Sequence, residues 1–222
     1  MTLILERCIL IYERTIVHFY EVHMATPKGE QAVDAIMEAA ETLFLSQGFN
    51  GTSMRDIARQ AGYKSVAGIY NHFPDKETIL IALLNTRSPY PRIFALVDQL
   101  EGDTAAEFIP NLFQAVTRLV NENTRFIGLV MLDFLEFNAV HVKEILTNLQ
   151  APIVRILQRL QGMEGWRKDV PPIVIVRTIG MLIFGYVITQ NLLPAFVLQM
   201  LTEEEWKKSV MDILLNGVGD KQ

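Results

Sequence analysis

The chain is short of the residues that metal and redox chemistry need. Its 222 residues include one cysteine, Cys8, and four histidines. A single cysteine excludes an intrachain disulfide, and no Cys/His pair has zinc-ligand spacing, so neither a metal nor any other cofactor is expected. The lack of a disulfide fits a reducing cytoplasm. Charged residues make up only 20% of the chain, against 50% hydrophobic. That is ample for a core and leaves extra apolar surface or cavity to be filled, in one large or two small domains. No alternating pattern marks a strand, and no acid, base and nucleophile come together in the sequence, so neither a sheet-based fold nor an enzyme is expected.

Long uninterrupted apolar runs are also missing. Leu3 to Tyr20 is rich in Ile, Leu, Val, Tyr and Phe, yet Glu6, Arg7, Glu13 and Arg14 interrupt it and no small-residue cleavage site follows. This excludes a signal peptide. Leu5, Ile9, Tyr12, Ile16 and Phe19 would align on a helix face, but Met24 opens the polar run MATPKGEQ. Residues 1–23 are therefore read as an extension from an upstream start, with weak or no native packing. Thr178 to Thr202 lacks any charged residue and is the stretch to weigh as a membrane helix. Thr189, Gln190, Asn191 and Pro194 break it after about a dozen residues, shorter than a bilayer requires. No membrane partner is expected.

What the chain does have is helical spacing. Between Glu30 and Gln47, Val33, Ile36, Met37, Ala40 and Phe44 form one stripe that stops at Gly48. Ser53 reads as the N-cap of a second helix, with Asp56 three residues on as a shortened capping box. Met54, Ile57, Ala58 and Ala61 give that helix an apolar face, and Gly62 supplies the left-handed residue that ends it. Spacing resumes at Val66, Ile69, Tyr70 and Phe73, predicting a third helix of about two turns, so that residues 52–73 form a helix-turn-helix. Its outer face, Ser65, Ala67 and Gly68, is small enough to approach base edges in a major groove. From Thr52 to Lys76 the cations are Arg55, Arg59, Lys64 and Lys76 and the anions Asp56 and Asp75, a net positive window in a chain of net charge −5. Asp75 is placed to cap a fourth helix. Lys76 lies in that helix's first turn, where a cation is unfavourable unless an anion such as a phosphate accompanies it.

The run Gly48-Phe49, Thr52-Ser53, Arg55-Asp56-Ile57-Ala58, Ala61-Gly62, Ile69-Tyr70, His72-Phe73 and Lys76-Glu77 resembles the DNA-binding domain of the TetR (tetracycline-repressor-like) family of transcriptional regulators over roughly residues 28–84. The resemblance implies an all-α fold. Residues 24–74 would form the N-terminal three-helix DNA-binding domain and residues 75–222 a larger helical ligand-binding and dimerisation domain. It further implies that Arg55 reaches a base, that Tyr70, His72 and Lys76 touch the DNA backbone, and that Ser65, Ala67 and Gly68 lie on the recognition face, with Thr52, Ser53 and Lys64 beside them. One residue more than the family pattern stands between Gly62 and Tyr70, which leaves the register of the recognition helix open.

Downstream the chain reads as helices throughout. A short one runs to about Leu100, and Phe108, Leu112, Ala115, Val116 and Leu119 mark the next. Arg125 to Phe137 and Val140 to Leu160 follow, with Pro152 either kinking the latter or opening a new helix. The resemblance implies that the last two long helices form a four-helix dimer interface, with Gly180 and Gly185 allowing close approach and Trp206, Val210, Ile213 and Leu214 as the complementary stripe. It also implies a cavity for a small hydrophobic ligand, for which Phe113, Met131, Phe134, Phe137, His141, Arg177, Met181 and Phe184 are the candidate contacts. The expected function is a homodimeric, ligand-responsive repressor of double-stranded DNA with a palindromic operator. The rival reading, prompted by the apolar C-terminal half, is a helical lipid-binding or membrane-associated protein.

Overall fold

The computed structural model describes residues 27–165 and 168–218, and the reading of residues 1–23 as an extension lies outside them. The described residues are helical and fall into two compact units, one formed by the chain up to Thr86 together with Leu129–Asn138, the other by Arg87–Gly128 and the chain from Ala139 on.

In the first unit, α1 (Pro27–Gln47) carries the predicted stripe: Val33, Ile36, Met37, Ala40 and Phe44 are all buried. The helix stops at Gly48, whose φ of 79° is the left-handed conformation that glycine adopts without strain. α2 (Met54–Gln60) and α3 (Ala67–Tyr70) are too short to be stable alone, since isolated helices under about 12 residues are marginal in water. They are held through Ile57, Ala58 and Ile69, all buried.

α3 is a single turn and not the two turns expected. Its entry is made of three-residue turn bonds, Gly68 N–H to Ser65 O and Ile69 N–H to Val66 O. At its exit, Pro74 restricts Phe73 to extended backbone, so helix cannot continue. α4 (Lys76–Thr86) is capped as predicted, Asp75 Oδ1 accepting from the Thr78 amide at 2.7 Å. Its Ile79, Leu80, Ala82, Leu83 and Leu84 are buried. α1 packs against both α2 and α4. α4 thus belongs to the first unit, whereas a boundary at residue 75 would give it to the second.

In the second unit, α5 (Tyr90–Gln99) and α6 (Ala105–Glu122) are followed, after the intervening α7 (Thr124–Phe137), by α8 (Val140–Asn148) and α9 (Gln150–Gln161). Pro152 sits in the first turn of α9, where its missing N–H costs no hydrogen bond, so it opens a new helix. The core joins Phe108, Ile109, Leu112 and Phe113 of α6 to Ile175, Ile179 and Ile183 of α10 (Pro172–Leu192) and to Met211 and Leu214 of the last helix. The short α11 (Ala195–Leu198) precedes that helix, α12 (Glu203–Val218). Arg159 fastens α9 to the end of α5, donating to Val97 O at 2.7 Å and Leu100 O at 2.6 Å with its guanidinium over the Phe108 ring.

The expected break at Thr189–Asn191 is absent, and α10 runs unbroken to Leu192. Thr189 Oγ1 donates to Gly185 O at 2.7 Å, so its hydroxyl is satisfied within the helix and ends nothing. Residues Pro172–Gln190 are consequently long and apolar enough to cross a membrane. One face of this helix, with Ile175, Ile179, Ile183, Tyr186 and Val187, is buried in the core.

Candidate nucleic-acid interface

The helix-turn-helix is built from bonds between near neighbours. The Ser53 hydroxyl accepts from the Asp56 amide while the Ser53 amide donates back to Asp56 Oδ2 at 3.1 Å, closing the capping box. Asp56 also holds Arg59, Nη2 to Oδ1 2.7 Å. The Ser53 hydroxyl, then the Ser53 amide, and Arg59 less strongly, keep the Asp56 carboxyl below its usual pKa. At the other end of α2, Gly62, with φ of 81°, donates to Arg59 O and Tyr63 donates to Ala58 O at 2.9 Å. These two bonds are the pair that ends a helix at a left-handed glycine.

The predicted DNA-binding residues divide sharply. Arg55 and Lys64 are exposed, and among the described residues neither side chain has an ion pair or a hydrogen bond. Ser65 and Ala67 are exposed too, and Tyr70 is 51% exposed. His72 is half-buried just beyond α3, its amide donating to Ile69 O at 2.8 Å. Arg55 lies on α2, and the other five lie on the short segment Lys64–His72 that carries α3.

Three of the predicted residues are used inside the motif. Thr52 is 2% exposed, its hydroxyl donating to Gly48 O at 2.8 Å, so it locks the turn and does not reach outward. Lys76 extends back to the same turn: Nζ donates to Phe49 O at 2.7 Å and Thr52 O at 3.0 Å and lies 4.2 Å from the Phe49 ring centroid. The carbonyls and the ring resolve its unfavourable place in a first helical turn, with no phosphate required. Gly68, assigned to the small outer face, instead carries the Tyr63 ring. A Cβ on Gly68 would fall 2.5 Å from Tyr63 Cδ1. Tyr63 escaped the sequence reading, and the one signal for it was a glycine inside a helix with no turn to make. Ser53 remains exposed at its cap.

The candidate ligand contacts divide between the two units. Phe113 and His141 are buried in the second unit. Burial raises the Glu144 carboxyl, one turn from His141, and His141 partly counters that rise. Arg177, Met181 and Phe184, however, lie on the outer face of α10, Met181 being 58% exposed. Met131, Phe134 and Phe137 belong to the first unit, where Phe134 is exposed and Phe137 meets the Phe49 ring edge-on at 4.9 Å. Trp206, Val210 and Leu214 pack into the core rather than outward, Trp206 stacking on Tyr186 at 4.3 Å, and only Ile213 of that stripe is exposed. The spacing of α10 and α12 could not reveal this, because their apolar residues recur on more than one face.

Residues 36–83 match the family model described as bacterial regulatory proteins, tetR family. No curated protein sequence matches the chain. Among solved structures, a TetR family transcription regulator from Marinobacter aquaeolei is similar with a TM-score of 0.64 at 19% identity, covering 87% of this chain and 98% of that one. NalD of Pseudomonas aeruginosa, the secondary repressor of the MexAB-OprM multidrug efflux pump, is similar with a TM-score of 0.63 at 19% identity, covering 87% and 99%. PfmR from Thermus thermophilus is similar with a TM-score of 0.60 at 21% identity, covering 84% and 99%. At these identities the structures show a shared fold, while the family model falls on the helix-turn-helix itself, with Arg55 and Lys64 exposed on it. Residues 36–83 therefore form a helix-turn-helix segment of the tetR type, in a chain that shares the fold of TetR family transcription regulators.

Proposed function

We propose that the protein acts in the cytoplasm as a homodimeric repressor, binding a palindromic operator and leaving it when a small hydrophobic ligand binds. One observation carries the DNA half of this reading. Arg55 and Lys64 stand exposed, their side chains without partners among the described residues, while the motif's other cations are engaged by Asp56 and by backbone carbonyls. A dimer would place two copies of α3 roughly 34 to 36 Å apart, one turn of DNA. The outer face of α10, with Ile173, Val174, Met181 and Phe184 exposed, supports pairing of two copies through that helix.

The ligand half rests on the second unit. Its α6 and α12 flank an open groove of ≈ 1210 Å³, where Pro110, Phe113, Leu201, Met211 and Ile213 alternate with charged residues of α12, Glu204, Glu205, Lys207, Lys208 and Asp212. Phe113 is the one candidate ligand contact found there. A ligand displacing α4, and with it the separation of the recognition helices, must prefer the off-operator spacing. A tenfold loss of DNA affinity needs about 1.4 kcal/mol of that preference.

The test is binding of palindromic fragments from the protein's own promoter region across a salt series. Affinity should fall with a log–log slope near −0.9 per phosphate contacted, two protomers per site. Equal affinity for scrambled DNA, or one protomer per site, would overturn it. The membrane-associated alternative is favoured by one observation, the 19-residue apolar stretch Pro172–Gln190. It predicts co-flotation with lipid vesicles, whereas the repressor reading predicts dimers in detergent-free buffer.

A further inference from the structure

α3 is one turn long, and a single turn has no stiffness of its own to fix which of its residues face outward. Ile69, fully buried, ties one side of it to the core of the first unit. The opposite constraint comes from Tyr63. Its backbone is pinned to α2 by the bond from its amide to Ala58 O, with Gly62 donating to Arg59 O beside it. Its half-buried ring lies against Gly68, so close that a Cβ there would meet Cδ1 at 2.5 Å and Cε1 at 2.9 Å.

Gly68 is helical and its φ is not positive, so it has no conformational need to be glycine. A glycine inside a helix is destabilising relative to alanine. Space for the ring is what its missing side chain provides. The ring bridges the turn between the two helices, from the cap of α2 to the middle of α3.

We propose that Tyr63 is the positioning residue for base recognition: its ring, seated on Gly68, sets the rotation of α3 and so decides how Ser65 and Ala67 face the base edges. Tyr63 acts through α3 and touches no base. This rests on the motif binding DNA, and the test separates the two.

The full-length protein and the variants Tyr63→Phe, Tyr63→Ala, Gly68→Ala and Tyr63→Ala/Gly68→Ala are used to select sites from random double-stranded DNA. Each is also titrated with the wild-type site and with a scrambled duplex across a salt series, with melting temperatures measured alongside. Tyr63→Phe keeps the ring and should keep the wild-type preference, with affinity within twofold. Gly68→Ala forces the ring aside and should weaken the selected site at least tenfold while leaving scrambled-DNA affinity and salt slope unchanged. In the Tyr63→Ala background the same methyl should cost less than threefold, because nothing is left for it to strike, and the preference should be broad with or without it. Should Tyr63→Ala melt too low to assay, Tyr63→Leu, which removes the ring and keeps apolar bulk, takes its place in the same comparison.

A Gly68→Ala penalty as large without the ring as with it would assign the glycine to DNA approach and overturn the proposal. So would an unchanged base preference in folded Tyr63→Ala. A wild-type chain that binds selected and scrambled DNA equally overturns the DNA-reading function itself, and the proposal with it.

Discussion

The ε-ammonium of Lys76 lies 2.7 Å from the carbonyl oxygen of Phe49, at the turn that joins α1 to α2. With the second bond to Thr52 O, this side chain ties three elements of the first unit together. Replacing Lys76 by Met keeps the apolar stem near the Phe49 ring and removes both charge-assisted bonds. The expected loss is about 2 to 3 kcal/mol, a melting temperature lower by roughly 4 to 10 °C. The folded variant should keep the wild-type salt slope for DNA binding. Unchanged melting together with a slope smaller by about 0.9 would return Lys76 to the phosphates.

Arg55 and Lys64 should behave in the opposite way, because both side chains are exposed without partners among the described residues. Either change to Ala should leave stability within about 0.5 kcal/mol. Arg55→Ala should relax discrimination at one base pair by about 1 to 3 kcal/mol. Lys64→Ala should weaken all sequences alike and reduce the salt slope by about 0.9. Uniform weakening by Arg55→Ala would sink its base-reading role.

Asp56 gives the motif a dependence on acid. Its carboxyl is held below 3.8 in the folded chain by the Ser53 hydroxyl, the Ser53 amide and Arg59. A group with a depressed folded pKa contributes stability that is present above its unfolded value and is lost as pH falls through the folded one. The cap of α2 should therefore hold above about pH 4 and weaken below it. Carboxyl carbon shifts followed by NMR should place the Asp56 midpoint below 3.8. In Ser53→Ala, which loses the largest of the three causes, the midpoint should move up, and no movement would refute the assignment.

The outer face of α10 should be the pairing surface of the proposed dimer. Met181→Lys puts a charge at a position 58% exposed in the protomer, so it should cost little folding stability. Sedimentation equilibrium should show the variant monomeric, with unchanged helix content by circular dichroism and operator affinity reduced at least tenfold. Persistence of the dimer would exclude this face.

Arg159 tests the second unit. Its guanidinium reaches two carbonyls at the end of α5, Val97 O at 2.7 Å and Leu100 O at 2.6 Å. A lysine carries a point charge where arginine carries a planar fork. Arg159→Lys should therefore destabilise by about 1 to 3 kcal/mol in denaturant, and wild-type stability would show that one donor suffices.

The sequence by itself determined what depends on near neighbours. The stripe of α1, the left-handed Gly48 and Gly62, the Ser53–Asp56 box and the Asp75 cap all involve residues within about four positions of one another, and all stand where spacing put them. Tertiary structure decided the rest. Lys76 and Phe49 are 27 residues apart, and no local pattern announces that a cation placed for a phosphate will close onto a carbonyl. Thr52 and Gly68 read as surface because their side chains are polar or absent, yet one fills a turn and the other seats the Tyr63 ring. On α10, apolar residues surround the helix, so periodicity could not say that Ile179 and Ile183 face the core while Met181 and Phe184 face out. Packing against α6 and α12 makes that choice, because only one face of a helix can be buried against them at a time.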